Sequence, residues 1–307
     1  MIKKGIVYCS TGSIHRVKSE GQFYDCRIKG KFRIKGIKST NPLAVGDKVF
    51  FTTEPKKEAN GIITSIETRK NYIIRKSVNL SKQTHIIAAN IDQVFLMITL
   101  KNPKTFPAFI DRFLVTALAY EINVVLLFNK IDIYNKLELR TMRDLKGVYQ
   151  KIGYECHELV ATDSKNIEII YSKMKGKVSM FCGHSGVGKS TLVNAISPSL
   201  DLKTGRVSQQ NQQGQHTTTF AEMFDLGASR IIDTPGIKGF GIVGIKPEEL
   251  SGYFMEFAIL KGGCKFNNCL HTSEPDCAIK EAIEQGEISA SRYKSYLQLL
   301  EEDSLYR

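Results

Sequence analysis

The chain has 307 residues, of which 42% are hydrophobic and 24% are charged, and its formal net charge is +12. This length suits two or three domains better than one core, and the composition is that of a globular protein. No apolar run reaches the roughly 18 residues that a membrane helix needs, and the N-terminus lacks a secretion-signal core. We therefore expect a cytoplasmic protein without a membrane partner, whose seven cysteines form no disulfide framework.

The positive charge is concentrated at the beginning of the chain. Residues 1–75 contain sixteen lysines and arginines but only six aspartates and glutamates. Such a basic module indicates a polyanion partner, and a nucleic acid fits better than a membrane because no amphipathic anchor is visible. A solvated surface that serves only solubility is the alternative.

Residues 1–72 have the pattern of short strands separated by turns. Gly5–Tyr8, Gln22–Ile28 and Lys48–Thr52 have strand composition, and Asn60-Gly61 is typical of a hairpin turn. Several short strands in seventy residues predict a small barrel, for which the OB-fold is the natural candidate.

Basic and aromatic residues alternate over residues 24–35 of this segment. Aromatic rings can stack on bases while lysine and arginine follow the phosphates, so the pattern favours RNA binding. The alternative is that the phenylalanines fill the barrel core. The set concerned is Phe23, Phe32, Phe50 and Phe51.

From about residue 85 the pattern changes to alternating strands and helices. Buried strands are predicted over Gln93–Ile98, Ile122–Phe128 and Lys177–Cys182, and a helix begins at Pro107. This pattern predicts a doubly wound parallel sheet that ends near residue 245. Ligands of such sheets bind at the carboxyl ends of the strands.

The remainder, residues 246–307, is predicted to be helical apart from a loop rich in cysteine. The helices are expected over Glu248–Leu260, Ala278–Gln285 and Ser289–Leu305.

A phosphate-loop pattern, Gly-x4-Gly-Lys-Ser, follows the third predicted strand and precedes a helix. Its glycines let backbone N–H groups turn toward the β-phosphate, and Lys189 bridges the β and γ oxygens. Ser190 offers its hydroxyl to the Mg²⁺ that accompanies the nucleotide, while the helix points its positive end at the phosphates. The nucleotide-binding residues predicted here are Gly183, His184, Ser185, Gly186, Val187, Gly188, Lys189, Ser190 and Thr191.

Asn129-Lys130-Ile131-Asp132 follows the second predicted strand and is the base-reading signature of GTPases. Asp132 can accept hydrogen bonds from the guanine N1–H and exocyclic amine, and adenine offers no donors there. Asn129 is expected to hold the other edge of the base, and Lys130 to lie across the nucleotide and support the phosphate loop.

Asp233-Thr234-Pro235-Gly236 is the third nucleotide motif. We expect Asp233 to hold Mg²⁺ through water and the Gly236 N–H to sense the γ-phosphate. An ordinary GTPase has the phosphate loop first and the base motif last, whereas here the base motif comes first. The circular order of the three motifs is unchanged, but the domain starts at a different point in that order. This predicts a circularly permuted P-loop GTPase.

The residue after Gly236 is Ile237, where Ras-like enzymes carry the glutamine that orients the attacking water. Either hydrolysis is slow until a partner helps, or another residue substitutes. His216 is our candidate, with an exposed loop histidine as the alternative. Thr218 is the preferred threonine for closing on Mg²⁺ and the γ-phosphate, so the predicted catalytic set is His216, Lys189 and Thr218.

Three cysteines and one histidine occur within fourteen residues near the C-terminus. A Cys₃His set is a standard composition for one structural Zn²⁺, and four protein ligands leave no open catalytic position. Reduced cysteines with an incidental histidine are the alternative. The predicted ligands are Cys264, Cys269, His271 and Cys277.

With barrel, permuted GTPase and cysteine loop in this order, the chain resembles the RsgA family of small ribosomal subunit biogenesis GTPases. The resemblance covers essentially the whole chain. It depends on Ala89–Gln93, Asn129–Asp132, Gly183–Thr191, Gly214–Thr219, Asp233–Phe240 and the Cys/His set.

The resemblance implies an OB-fold, a permuted GTPase and a zinc domain that bind the 30S ribosomal subunit with its 16S rRNA and assist its late maturation. It also implies a GTPase that is weak alone and stimulated by that subunit, and a hydrophobic residue at Ile237. One departure is Gln215, where the family usually has an arginine that could make a switch contact.

We therefore expect an OB-fold RNA-binding domain (1–72), a circularly permuted GTPase domain (73–245) and a helical zinc-binding domain (246–307), in a monomer. Two other functions stay open. One is a non-enzymatic RNA-binding module whose nucleotide site only stabilises the fold. The other is a permuted GTPase that acts on the large subunit or on tRNA.

Overall fold

The computed structural model describes residues 2–28, 42–54, 57–76, 84–200, 221–234 and 244–305. The predictions made for Gln215, His216, Thr218, Gly236 and Ile237 fall outside the described residues.

Five strands at the beginning of the chain close into a barrel in the order β1-β2-β3-β5-β4-β1. Only β3 and β5 are parallel neighbours. Alternate side chains, such as those of Val7, Val17 and Phe51, fill the interior. The predicted OB-type barrel is therefore confirmed. Its strands are β1 (Ile2–Ser10), β2 (His15–Ser19), β3 (Gln22–Ile28), β4 (Lys48–Glu54) and β5 (Lys57–Ile66).

The predicted hairpin turn at Asn60-Gly61 is wrong, because β5 runs straight through these two residues. Gly61 pairs with Cys26 of β3. A Cβ atom at Gly61 would lie 2.8 Å from both the Cys26 Sγ and a ring carbon of Phe51. The glycine thus permits close packing inside the barrel, which is the other common role of glycine in a strand.

A short hairpin joins the barrel to the central sheet, and it consists of β6 (Tyr72–Lys76) and β7 (Thr84–Ala89). Residues on both sides of this hairpin hold it in place between the barrel and the sheet. Asn71 donates to the Ile91 carbonyl and accepts from its N–H at 2.9 and 2.8 Å, while the Asn90 side chain donates to the Gly46 carbonyl of the barrel at 2.9 Å. The segment Ala89–Gln93 therefore has an architectural role.

The central sheet has the order β10-β9-β8-β11-β13-β12. The first five strands are parallel, as predicted, but β12 is antiparallel to β13. The two strands are joined by a two-residue turn at Gly227-Ala228, which is too short for the crossover that a parallel pair needs. The strands are β8 (Gln93–Ile98), β9 (Asn123–Asn129), β10 (Glu155–Leu159), β11 (Val178–Cys182), β12 (Glu222–Leu226) and β13 (Ser229–Asp233).

Helices cover both faces of this sheet, and two separate hydrophobic clusters lie beneath them. They are α1 (Pro107–Ala119), α2 (Lys136–Lys151), α3 (Ser164–Met174) and α4 (Lys189–Ile196). The barrel continues the sheet through the pairing of Cys9 in β1 with Glu222 in β12. Tyr8 also donates to Asp225 at 2.6 Å, and Lys18 contacts the same carboxylate.

Four helices form the C-terminal region: α5 (Pro247–Leu250), α6 (Met255–Leu260), α7 (Ala278–Glu284) and α8 (Ala290–Leu305). The single helix predicted over Glu248–Leu260 is wrong, because a 3₁₀ turn and the extended residue Phe254 interrupt it. The break lets Phe254 and Phe257 both pack on Tyr296 of α8, with ring centroids 5.4 and 5.0 Å apart. Within the described ranges, no helix is long and apolar enough to cross a bilayer.

The barrel contains a fully buried histidine, His15, whose ring nitrogens have no hydrogen-bond partner among the described residues. Burial lowers its pKa, and nearby Asp47 opposes the shift only in part. Below about pH 6.5 the unfolded chain therefore binds more protons at His15 than the folded barrel does, so acid destabilises the fold.

We predict that His15→Leu reduces the acid sensitivity of the protein. The wild-type melting temperature should fall between about pH 7.5 and pH 5.5, and the variant should lose less over the same interval because the titrating group is gone. Thermal unfolding followed by circular dichroism at both pH values measures this. Equal losses in the two proteins would show that His15 is not the acid-sensitive group.

Candidate nucleotide and metal sites

Two motifs that lie far apart in the sequence meet at one edge of the central sheet. Asn129 is the last residue of β9, and Gly183 directly follows β11, with parallel β8 between these strands. The Asn129 amide donates to the Val187 carbonyl at 2.8 Å. The base motif and the phosphate loop, residues 183–190, therefore form one site at the carboxyl ends of the strands, as predicted for a sheet of this kind.

Close packing of the phosphate loop on β8 and β9 explains two of its glycines. Gly183 has φ +140°, and a Cβ atom there would lie 2.7 Å from the Met97 carbonyl oxygen. Gly188 has φ +104°, and its Cβ would lie 2.4 Å from the Asn129 Nδ2. Neither conformation suits a residue with a side chain, so the loop can lie against its neighbours only with glycine at both positions.

Lys189, the first residue of α4, is buried inside the loop. Its amine donates to the carbonyls of Gly183 and His184 at 2.9 and 3.0 Å. Burial lowers the pKa of Lys189, while Cys182 and Asp233 act in the opposite direction. Asp233, the last residue of β13, is itself buried, and its charge acts on the Lys189 amine. A phosphate here would gain a cation that is already desolvated.

Lys130 extends from the base motif toward the phosphate loop. Its backbone is left-handed, with φ +64°, and its amine donates to the Gly186 carbonyl at 2.7 Å and to the Asn102 carbonyl. Burial lowers its pKa and Asp132 opposes the shift. Asp132 lies in the 3₁₀ turn Ile131–Ile133 and is exposed, so its carboxylate can receive donors from a ligand.

Other residues of this edge escaped the sequence analysis. The Tyr134 hydroxyl donates to the Asn129 carbonyl at 2.9 Å and accepts from the Leu100 N–H at 2.8 Å, which ties the ends of β8 and β9 together. No spacing rule marks such a tyrosine. Asn102 accepts from Lys130 through its main-chain carbonyl, so the identity of its side chain does not predict this contact.

The described part of the predicted site is brought together at this edge, with Ser190 and Thr191 in the first turn of α4. Thr234, next to Asp233, donates to the Phe181 carbonyl at 2.9 Å, which ties the residue after β13 to β11. His216, Thr218 and Gly236 lie outside the described residues.

The four predicted metal ligands also come together. The ligand atoms of Cys264, Cys269, His271 and Cys277 all lie within 4.8 Å of one another. The sulfurs of Cys264 and Cys277 are 3.9 Å apart, and the His271 Nδ1 is 3.6 and 3.4 Å from them. A tetrahedron with metal–sulfur bonds of about 2.3 Å has edges of about 3.8 Å, so the donor set fits a four-coordinate metal ion.

Surrounding residues hold the shape of the metal-ligand loop. Tyr293 and Tyr296 of α8 donate to the carbonyls of His271 and Leu270 at 2.7 and 2.8 Å. Burial would raise the pKa of Glu274, but hydrogen bonds from the Leu270 and Thr272 N–H groups outweigh it and hold the pKa at about 2. Glu274 is therefore an anion that caps the loop backbone near neutral pH.

Within the described part of the chain, the cysteines outside this loop belong to no such cluster. Burial raises the pKa of Cys26, Cys156 and Cys182 to about 12, which leaves them as neutral apolar residues.

Two family models match the chain. The model described as RsgA GTPase matches residues 66–243, and that of the RsgA N-terminal domain matches residues 4–63. A protein of Christiangramia forsetii named small ribosomal subunit biogenesis GTPase RsgA is 62% identical over 308 residues, which is 99% of this chain and 98% of the relative.

Solved structures agree with these matches. The crystal structure of YjeQ from Thermotoga maritima superposes with a TM-score of 0.77 and 35% identity over 98% of each chain. That of YloQ, described as a circularly permuted GTPase, gives a TM-score of 0.73 and 28% identity over 100% of this chain and 96% of its own. The predicted permuted GTPase fold is thereby confirmed.

We predict that Gly188→Ala weakens nucleotide binding at least about tenfold, because a left-handed backbone with a Cβ costs 1–2 kcal/mol and the new atom collides with Asn129. Gly147→Ala is the matched control, since it lies in the middle of α2 with nothing within 4 Å of its Cβ position. Titration of each protein with a fluorescent GTP analogue measures the effect. Undiminished affinity in Gly188→Ala would contradict the steric argument.

Proposed function

The chain belongs to the RsgA family of GTPases, and we propose that it hydrolyses GTP in association with the 30S ribosomal subunit and assists the late maturation of that subunit. In this proposal the GTP-bound protein binds the subunit, and hydrolysis releases it. The observation that carries the GTPase function is the hydrogen bond between Asn129 and the Val187 carbonyl, because it unites a guanine-reading motif with a phosphate loop. The ribosomal partner rests on the names of the relatives.

The proposed nucleotide contacts follow from this geometry. Lys189 leaves the loop carbonyls to bridge the β and γ oxygens, and the loop N–H groups bind the β-phosphate. Mg²⁺, where bound with GTP, supplies charge neutralisation; Ser190 and Thr218 would hold it directly and Asp233 through water. Gly236 would sense the γ-phosphate.

Guanine specificity is assigned to Asp132, whose exposed carboxylate accepts from the N1–H and the 2-amino group. We predict that Asp132→Asn lowers affinity for GTP and raises affinity for XTP, because xanthine presents a carbonyl where guanine has the amine and an asparagine amide can donate to it. Competition binding with GTP, XTP and ATP measures the switch. A variant that kept its preference for GTP would exclude Asp132 as the base-reading residue.

Hydrolysis needs a group that orients water, and Ile237 offers none. We propose His216 for this role. His216→Ala should then lower the turnover number for GTP at least about tenfold, because a catalytic side chain of this kind contributes at least that much to the rate. The affinity for GTP should be unchanged. A parallel loss of affinity would instead indicate that His216 shapes the binding loop.

We further propose that the metal held by the Cys/His set is one structural Zn²⁺, since three thiolates and one imidazole leave no open position for chemistry. Purified protein should contain one zinc per chain by elemental analysis. Cys277→Ser should lower both the zinc content and the melting temperature, and Cys9→Ser, far from the cluster, should change neither. Full zinc content in Cys277→Ser would contradict the assignment.

The three proposed domains are 1–72, 73–245 and 246–307, with rRNA contacts on the first. Phe51 is in the barrel core, whereas Phe23 is 45% exposed beside Lys18, whose amine lies 5.2 Å from the ring centre. An exposed ring next to a cation suits base stacking with a phosphate contact.

The proposed function is tested by GTP turnover of the purified protein alone, with 30S subunits and with 50S subunits. We expect low turnover alone and strong stimulation by 30S subunits only. Stimulation by 50S subunits instead would favour a large-subunit GTPase. No turnover under any condition, together with intact cellular function of Lys189→Ala, would favour a non-enzymatic RNA-binding protein.

A further inference from the structure

Two aromatic rings meet beside the phosphate loop. Phe109, in the first turn of α1, has its ring centroid 4.0 Å from that of His184, the second residue of the loop, with 34° between the ring planes. We propose that Phe109 is a positioning residue for the phosphate loop, which acts through His184 to hold the loop in the conformation that receives phosphates. This inference rests on the proposed GTP site.

The loop needs support at His184 because its other anchors lie elsewhere. Gly183 lies against Met97, and Gly188 lies against Asn129. His184 between them contributes a carbonyl that accepts from the Lys189 amine at 3.0 Å. A phosphate competes for that amine, so this hydrogen bond weakens when a nucleotide binds. The ring contact with Phe109 does not involve the Lys189 amine, so a phosphate does not compete with it.

The helix that carries Phe109 is itself firmly fixed. Pro107 begins α1 with a restricted backbone. Asp111, two residues after Phe109, is fully buried and accepts from the Tyr149 hydroxyl of α2 at 2.8 Å and from the Arg292 guanidinium of α8 at 2.6 Å. Arg292 also donates to Glu256 at 2.7 Å.

Breaking such a buried ion network leaves a charge without a partner in an apolar interior, which is strongly unfavourable. The network therefore fixes α1 against α2 and α8. Phe109 is a side chain on a rigid support, and His184 is a side chain on a glycine-rich loop. The contact with the fixed Phe109 ring therefore restrains the conformation of His184 and of the loop that carries it.

The alternative is that Phe109 serves only the hydrophobic core, against which part of its ring packs. A core residue would affect the melting temperature and leave the nucleotide affinity unchanged. The two roles are separated by a double-mutant cycle on nucleotide affinity, because residues in contact have non-additive effects whereas independent sites add.

The experiment measures the dissociation constant of a fluorescent GTP analogue for the full chain and for Phe109→Leu, His184→Gln and the double variant. We expect each single variant to bind about 3- to 10-fold more weakly, the range set by an aromatic pair. The double variant should bind the analogue no more weakly than the single variant that has the lower affinity. Phe109→Tyr, which keeps the ring, should bind as the wild type does.

Phe106→Leu is the matched control, because this phenylalanine precedes α1, is 57% exposed and has Lys104 over its ring at 5.0 Å. It should leave the affinity unchanged. Wild-type affinity in Phe109→Leu, or effects that multiply in the double variant, would overturn the inference while the GTP site stands. Failure of the wild type to bind the analogue would overturn the GTP site as well.

Discussion

The structure depends on the parallel pairing of three neighbouring strands, β9, β8 and β11. At the carboxyl ends of these strands, the Asn129 side chain donates to the Val187 carbonyl and joins the base motif to the phosphate loop. Side-by-side parallel strands bring their carboxyl ends to the same edge wherever the chain is cut. Permutation can therefore place the base motif before the phosphate loop without altering the site. The barrel and its linking hairpin join the sheet before the start of β8, at the edge opposite this site.

Polar contacts help to attach both the barrel and the C-terminal helices to the central sheet. Because hydrogen bonds and ion pairs depend on distance and angle, they fix how each unit is attached. The barrel is tied to the β12–β13 hairpin by Tyr8 and Lys18 on Asp225, and β13 ends at Asp233 in the nucleotide site. The C-terminal helices are tied to α1 by Arg292 on Asp111. Each neighbouring unit is thus attached to an element that also reaches the nucleotide site, an arrangement suited to linking nucleotide state with binding of a large partner.

The barrel, the parallel strands, the motif positions and the metal-ligand set were predictable because each has a strong local signal. Strand-forming residues mark Gly5–Tyr8 in β1, and the glycines at 183 and 188 follow a fixed spacing. The role of Gly61 could not be predicted, because a glycine in a turn and a glycine against a crowded strand look alike in sequence. The break at Phe254 was missed because it satisfies ring packing on α8, which is a tertiary effect. Tyr134 and Phe109 also escaped prediction, since their roles come from contacts with residues distant in the chain.

The most direct test of this account is co-sedimentation with purified 30S subunits in the presence of GDP or a non-hydrolysable GTP analogue. The account predicts at least about tenfold tighter association with the analogue, which corresponds to about 1.4 kcal/mol of coupling between the nucleotide and subunit sites. Equal association in the two nucleotide states would contradict it, because hydrolysis could then not release the protein from the subunit.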